Sequence, residues 1–251
     1  MTQAKLEFNK ISKNINFQQQ ARYHEALAVA MVGDFEEAEK IFSGQKYGVI
    51  DLDVRGVEAY AQILIQVNKK KLALELIEDE LSKSFNPHFP LIDLKNKIQE
   101  DLLIEYDFIT NPKQGIAEVY LTIAKLLKNK IEHNQVLLLS RIAEYLRPEY
   151  PTIVLQVANV LENLQQYDLA LDSYSSVNPK NPNYLLAELG RAKNLALLNR
   201  ESESIEVLKS LSKSHYDNVV VHSSLGNMLR ETDRDIEALE AYSTAIDLAN
   251  L

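Results

Sequence analysis

Residues 158–182 read ANVLENLQQYDLALDSYSSVNPKNP, and the order of small, apolar and aromatic positions in this stretch decides the fold. Ala158 is followed three residues later by Leu161. Twelve residues after Ala158 comes Ala170, then Tyr174 and Val177, and Pro182 ends the stretch. Spacings of three and four put residues on one face of an α-helix. A small residue lets two helix axes approach, and larger neighbours fill the seam. The stretch therefore reads as two helices joined by a turn at Gln165-Gln166. Pro182 cannot continue the second helix and closes the unit.

The same order recurs on both sides. The small–apolar pairs are Ala26/Val29, Ala61/Leu64, Ala124/Leu127, Ala158/Leu161, Ala192/Leu195 and Gly226/Leu229; the last four begin 34 residues apart, the first two 35, and the gap from 61 to 124 is 63. The second helix of each pair carries Ala38/Phe42/Gln45, Ala73/Ile77/Glu80, Val136/Ser140/Ala143, Ala170/Tyr174/Val177, Ser204/Leu208/Leu211 and Ala238/Tyr242/Ala245. Gly33-Asp34 before Phe35 is the plainest of the turns, and Pro148 closes a unit as Pro182 does. Each unit is a helix–turn–helix of about 34 residues, the period of tetratricopeptide (TPR) repeats.

On these residues the chain resembles a TPR protein over about residues 17–84 and 114–251. The match is fullest at Ala158, Leu161, Ala170, Tyr174, Val177 and Pro182, and again at Gly226, Leu229, Ala238, Tyr242 and Ala245. The first two units depart from the pattern at Gln45 and Glu80, where a small residue is expected, which predicts looser packing there. The stretches Gly115-Ile-Ala-Glu-Val-Tyr120 and Ala143-Glu-Tyr-Leu-Arg-Pro148 are also similar to longer bacterial TPR-array proteins of unassigned role. The resemblance implies an all-α, right-handed α-solenoid.

Three blocks are expected. Residues 1–84 hold a half repeat and two repeats, 85–116 an irregular helix and connector, and 117–251 four repeats. The half repeat is residues 2–13, where Ala4, Phe8 and Ile11 stand 34 residues before Ala38, Phe42 and Gln45. In the irregular block Asn86-Pro87 and Pro90 break the chain, Leu91 to Leu103 reads as one helix, and Asn111-Pro112 ends the connector. It is either a degenerate repeat that lost its partner helix or a hinge or ligand-capping element. A solenoid normally ends in a polar cap, and none follows Tyr242 and Ile246. That predicts a piece of a longer array, or ends that stack on another copy.

Composition removes several kinds of chemistry. There is no cysteine, which excludes disulfides, zinc–thiolate sites, iron–sulfur clusters and thiol catalysis. The net charge of −9 argues against a general nucleic-acid binder. Residues 1–20 lack the apolar core of a signal peptide, and the longest apolar run near the start, 26–32, is far too short to span a bilayer, so a cytoplasmic location is expected. His24-Glu25 begins an H-E-x-x-H frame, but Ala28 occupies the second ligand position. Asp51-x-Asp53 with Gly56 begins a calcium loop that fails at Arg55 and Gln62. The glycines form no phosphate loop and no nucleophile elbow. The five histidines are scattered, and carboxylate pairs at helical spacing read as solvated faces. No enzyme, cofactor or metal is expected.

The resemblance places an inner groove on the first helix of each unit. The positions one, four and five residues past each small residue read Lys125, Lys128, Asn129; Asn159, Glu162, Asn163; Lys193, Ala196, Leu197; and Asn227, Arg230, Glu231. Four cations (Lys125, Lys128, Lys193 and Arg230) and four asparagines (Asn129, Asn159, Asn163 and Asn227) face two carboxylates. Lysine and arginine donate to carboxylates, and asparagine can clamp an extended backbone. The expected function is a non-enzymatic scaffold binding an extended or helical acidic segment of a partner. The spacing differs from that of the carboxylate-clamp TPR domains. The alternatives are a self-assembling structural unit and the regulatory region of a larger enzyme. In the first two units the same positions are Leu27, Ala30, Met31 and Gln62, Ile65, Gln66. This half is apolar, and the expectation is that it holds either hydrophobic side chains of a partner or, preferred here, the helix 91–103 itself.

Overall fold

The computed structural model describes residues 2–14, 17–83, 88–148 and 150–250, with side chains from residue 6 onward. Asn86-Pro87 lies outside these residues, as does the side chain of Ala4. All regular structure among the described residues is helical. The chain divides into two compact units, Met1–Ile123 and Ala124–Leu251. The first holds α1 (Thr2–Ile11), α2 (Gln18–Ala30), α3 (Phe35–Phe42), α4 (Val54–Gln66), α5 (Lys70–Ser82) and α6 (Phe89–Gln99), with α7 (Pro112–Leu127) running through the division. The second holds α8 (His133–Leu146), α9 (Pro151–Asn163), α10 (Tyr167–Ser175), α11 (Tyr184–Leu197), α12 (Glu201–Ser214), α13 (Val219–Glu231) and α14 (Asp235–Ala249). Each unit is an α-solenoid segment of TPR-type hairpins.

The seam residues are the core. Ala26, Ala38, Ala61, Ala73, Ala124, Ala158, Ala170, Ala192 and Ala238 are buried, as are Phe42, Ile77, Leu161, Leu195 and Leu208. Two seam positions are serines, and a buried hydroxyl needs a partner. Ser140 Oγ donates to the Val136 carbonyl at 2.9 Å, and Ser204 Oγ to the Ala192 carbonyl on the facing helix at 2.8 Å. Gln45 departs from the pattern because α3 has already ended at Phe42, and Gln45 is exposed.

The turns repeat as faithfully as the seams. After α2, α4, α9, α11 and α13 one residue is left-handed: Gly33, Asn68, Gln165, Asn199 and Asp233, with φ of 84°, 60°, 58°, 57° and 56°. The next residue's N–H bonds back to the carbonyl of Val29, Leu64, Leu161, Leu195 or Leu229, at 2.8–3.3 Å. This is the Schellman closure, which satisfies carbonyls that the helix end leaves orphaned. The apolar member of each seam pair is thus also the residue whose carbonyl closes the helix. Asn and Asp tolerate the left-handed region; Gln165 enters it against its preference.

α6 ends in the same way. Asp101 has φ 57°, and the Leu102 N–H donates to the Lys97 carbonyl at 3.0 Å. That left-handed residue stops the helix at Gln99, short of the expected Leu103. Its closure has the form seen after α2, α4, α9, α11 and α13. α6 packs against α4 and α5, and residues 102–107 beyond it pass along α4, where Gln62 and Gln66 hold them. α7 then starts at Pro112, whose fixed φ suits a first helical position, with Asn111 Oδ1 accepting from the Gln114 N–H at 3.0 Å.

A polar cluster ties α2, α4 and α7 together within the first unit. The Arg55 Nε and Nη2 donate to Glu118 at 2.9 and 2.7 Å, and Tyr23 Oη donates to the same carboxylate at 3.1 Å. Arg55 and Glu118 are only 5% and 3% exposed. Beside them burial pushes the His24 imidazole down to about 4, with the Glu118 charge acting the other way. The unfolded chain titrates this group near 6.5, so below that pH it binds a proton that the folded chain refuses. Stability contributed by neutral His24 is therefore lost as pH falls from about 6.5 towards 4. Urea unfolding at pH 7 and pH 5 is expected to show a loss of about 2 kcal/mol that His24→Phe abolishes. An unchanged pH dependence in that variant would refute the assignment.

Candidate functional site

The first helices of the second unit carry the site. Asn159 and Glu162 on α9, Lys193 on α11, and Asn227 and Glu231 on α13 line one cavity of about 600 Å³, whose floor includes Leu189, Leu197 and Met228. A residue 34 positions on occupies the same phase of the next first helix, so the periodicity itself brings Asn159, Lys193 and Asn227 to one wall.

A nearly buried carboxylate anchors that wall. Glu162 accepts from Tyr174 Oη at 2.9 Å, from Asn194 Nδ2 at 2.6 Å and from Lys193 Nζ at 2.6 Å. Burial, and then the Glu162 charge, raises the Tyr174 phenol far above its usual range, so it stays a donor. The Tyr174 ring lies against Gly190: a Cβ there would stand 2.4 Å from Cζ. Gly226 repeats the arrangement, with a Cβ 2.7 Å from the Tyr242 ring, and Tyr242 Oη donates to Asn227 Oδ1 at 2.7 Å.

These contacts decide which atoms face the cavity. Asn227 Oδ1 is taken by Tyr242, and Asn159 Oδ1 by Lys128 Nζ at 2.7 Å. Among the described residues neither Nδ2 makes a hydrogen bond, so both asparagines present donors. Lys193 neutralises Glu162, so the charge offered to a partner is lower than four cations against two carboxylates implies. Lys125, Asn129, Asn163 and Arg230 are exposed and lie outside the lining of this cavity. Sequence reading missed the part played by Asn194 and Gly190. Asn194 is fully buried in the midst of a helix, a signal that its neighbours in sequence do not carry.

The first unit differs. Leu27 and Met31 line an apolar cavity of about 420 Å³ with Phe8, His24, Ile116 and Val119. Gln62 and Gln66 on α4 are bonded to the extended segment: Gln62 Nε2 to Asp107 Oδ1 at 2.8 Å, the Asp107 N–H to Gln62 Oε1 at 3.1 Å, and Gln66 Nε2 to the Ile104 carbonyl at 2.8 Å. Among the described residues no group of three or more His, Asp or Glu is placed to hold a metal, and no helix is long and apolar enough to cross a membrane.

Hairpins at a 34-residue period, seamed by small residues and closed by left-handed turns, define the class: a TPR-type α-solenoid. Solved structures with similar folds include a MamA crystal structure, 11% identical, covering 80% of this chain and 97% of that one at a TM-score of 0.48. MamA residues 41 to the end from Desulfovibrio magneticus RS-1 are 14% identical over 80% and 98% at 0.47. YrrB, described as a TPR protein with an unusual peptide-binding site, is 17% identical over 85% and 91% at 0.43. No protein-family model and no curated protein matches the chain in sequence.

Proposed function

We propose that the chain is a protein-interaction scaffold whose second unit binds an extended or helical acidic segment of a partner, by shape and charge and without chemistry. One observation carries this reading. The asparagine amides on the cavity wall are donors whose own acceptors are already engaged, that of Asn159 by the Lys128 ammonium and that of Asn227 by Tyr242. Such a wall complements carboxylates and backbone carbonyls. Solenoids build extended concave surfaces of this kind from successive units. Lys128 is bonded to Asn159, and Arg230 is an exposed cation three residues past Asn227 on α13; neither is paired with Glu162, which makes them better test positions than Lys193.

The test is affinity capture from native lysate with the parent chain beside Lys128→Glu, Arg230→Glu, with dissociation constants then measured for each captured partner. The double reversal is expected to weaken binding about tenfold at physiological salt, and raising the salt to weaken the parent complex as well. A partner held equally by both forms at equal helicity would remove the groove from the function.

A further inference from the structure

The face of α4 is occupied by the chain itself. Gln62 and Gln66 stand one and five residues past Ala61, the phase that Asn159 and Asn163 hold past Ala158. Gln62 grips Asp107 at its N–H and its carboxylate, and Gln66 donates to the Ile104 carbonyl. The side chains of the extended segment alternate. Ile104 and Tyr106 turn inward and are half-buried, whereas Glu105 and Asp107 remain exposed. The Tyr106 ring meets Phe35 edge-on at 5.4 Å. Bonds to main-chain atoms, with apolar side chains turned inward at every second residue, are also how a foreign extended peptide is held.

The segment is also anchored unequally. At its far end Phe108 and Ile109 are each 1% exposed, and the Arg55 guanidinium lies over the Phe108 ring at 4.5 Å. At its near end the left-handed Asp101 is a natural pivot, paired with Lys70. Between them Leu102 is 51% and Leu103 89% exposed. Residues 102–107 are thus less buried than the anchor at 108–109.

We propose that residues 102–107 are an intramolecular plug, and that the α4 face beneath them is a second docking site for an extended partner segment in which acidic residues alternate with aromatic or aliphatic ones. The proposal stands on the first unit alone and does not require the groove of the second. A tethered plug competes at an effective concentration in the millimolar range, so the parent chain hides the site from a free peptide of moderate affinity.

The test uses the full chain and a fluorescent peptide with the sequence of residues 101–110. Ile104→Gly, Tyr106→Gly loosens the plug and leaves Gln62 and Gln66 intact. Fluorescence anisotropy is expected to show binding at least about tenfold tighter to this variant than to the parent. Adding Gln62→Ala, Gln66→Ala should abolish that gain. Equal binding to parent and loosened chain, or no binding to a loosened chain of unchanged helicity, would overturn the proposal. If the glycine pair lowers helicity, Asp107→Ala takes its place, since it removes only the carboxylate that Gln62 holds, and the same two outcomes decide.

Discussion

Replacing Arg55 by Met is expected to lower the stability of the first unit by about 3–5 kcal/mol, the cost of leaving a buried carboxylate without its cation. Glu118 is 3% exposed and holds Arg55 through two hydrogen bonds, so water cannot take over that role. Tyr23 would remain as a neutral donor at 3.1 Å and compensates only in part. The size of the effect comes from removing the cation of a buried carboxylate, and the intact pair contributes less than that figure. The double variant Arg55→Met, Glu118→Leu should therefore recover most of the loss, a coupling that only groups in contact show. Urea unfolding followed by circular dichroism supplies all corners of the cycle. A single variant within about 1 kcal/mol of the parent, or additive effects, would contradict the reading. Because Arg55 also lies over Phe108, the same substitution should speed proteolysis of the extended segment 102–107.

The second large effect is expected at Gly190. A Cβ at that position stands 2.4–2.8 Å from three atoms of the Tyr174 ring, distances that real contacts do not reach. Gly190→Ala must therefore displace the tyrosine. Crowding a packed seam costs about 1–3 kcal/mol, and loss of the phenol from Glu162 adds about 1.5–3 more, because that bond is made to a charged group. A total of about 3 kcal/mol or more is expected in thermal or urea unfolding. Gly190→Ala, Tyr174→Leu should be milder than the sum of its parts, since the leucine removes the clash. Full additivity would mean that the tyrosine is not the obstacle. The experiment bears on the proposed function too, because Tyr174 and Lys193 share the Glu162 carboxylate at the cavity wall.

Local pattern determined most of the architecture. Small residues at a 34-residue period, with apolar partners three and four residues away, specify where helices pack, because seam geometry depends on neighbours within a turn or two. The turns were partly legible for the same reason. Gly33, Asn68, Asn199 and Asp233 are residue types that accept a left-handed backbone, but Gln165 is not, and only its place in the repeat marks it. The candidate wall was legible in outline, since periodicity alone aligns Asn159, Lys193 and Asn227.

The tertiary structure decided what those side chains are free to do. Lys193 spans 31 residues to neutralise Glu162, and Asn194 reaches the same oxygen that Tyr174 holds. Arg55 meets Glu118 across 63 residues, and Tyr23 meets it across 95. Gln62 spends its amide on Asp107, 45 residues away. Such pairs leave no periodic trace. A charge on a helix looks the same in sequence whether water or a buried partner answers it, and only burial, where an unmet polar group is expensive, settles which. Helical spacing thus determined the repeats and their seams, whereas long-range contacts decided that the cavity lined by α9, α11 and α13 stays open while Gln62 and Gln66 of α4 are taken by the chain's own residues.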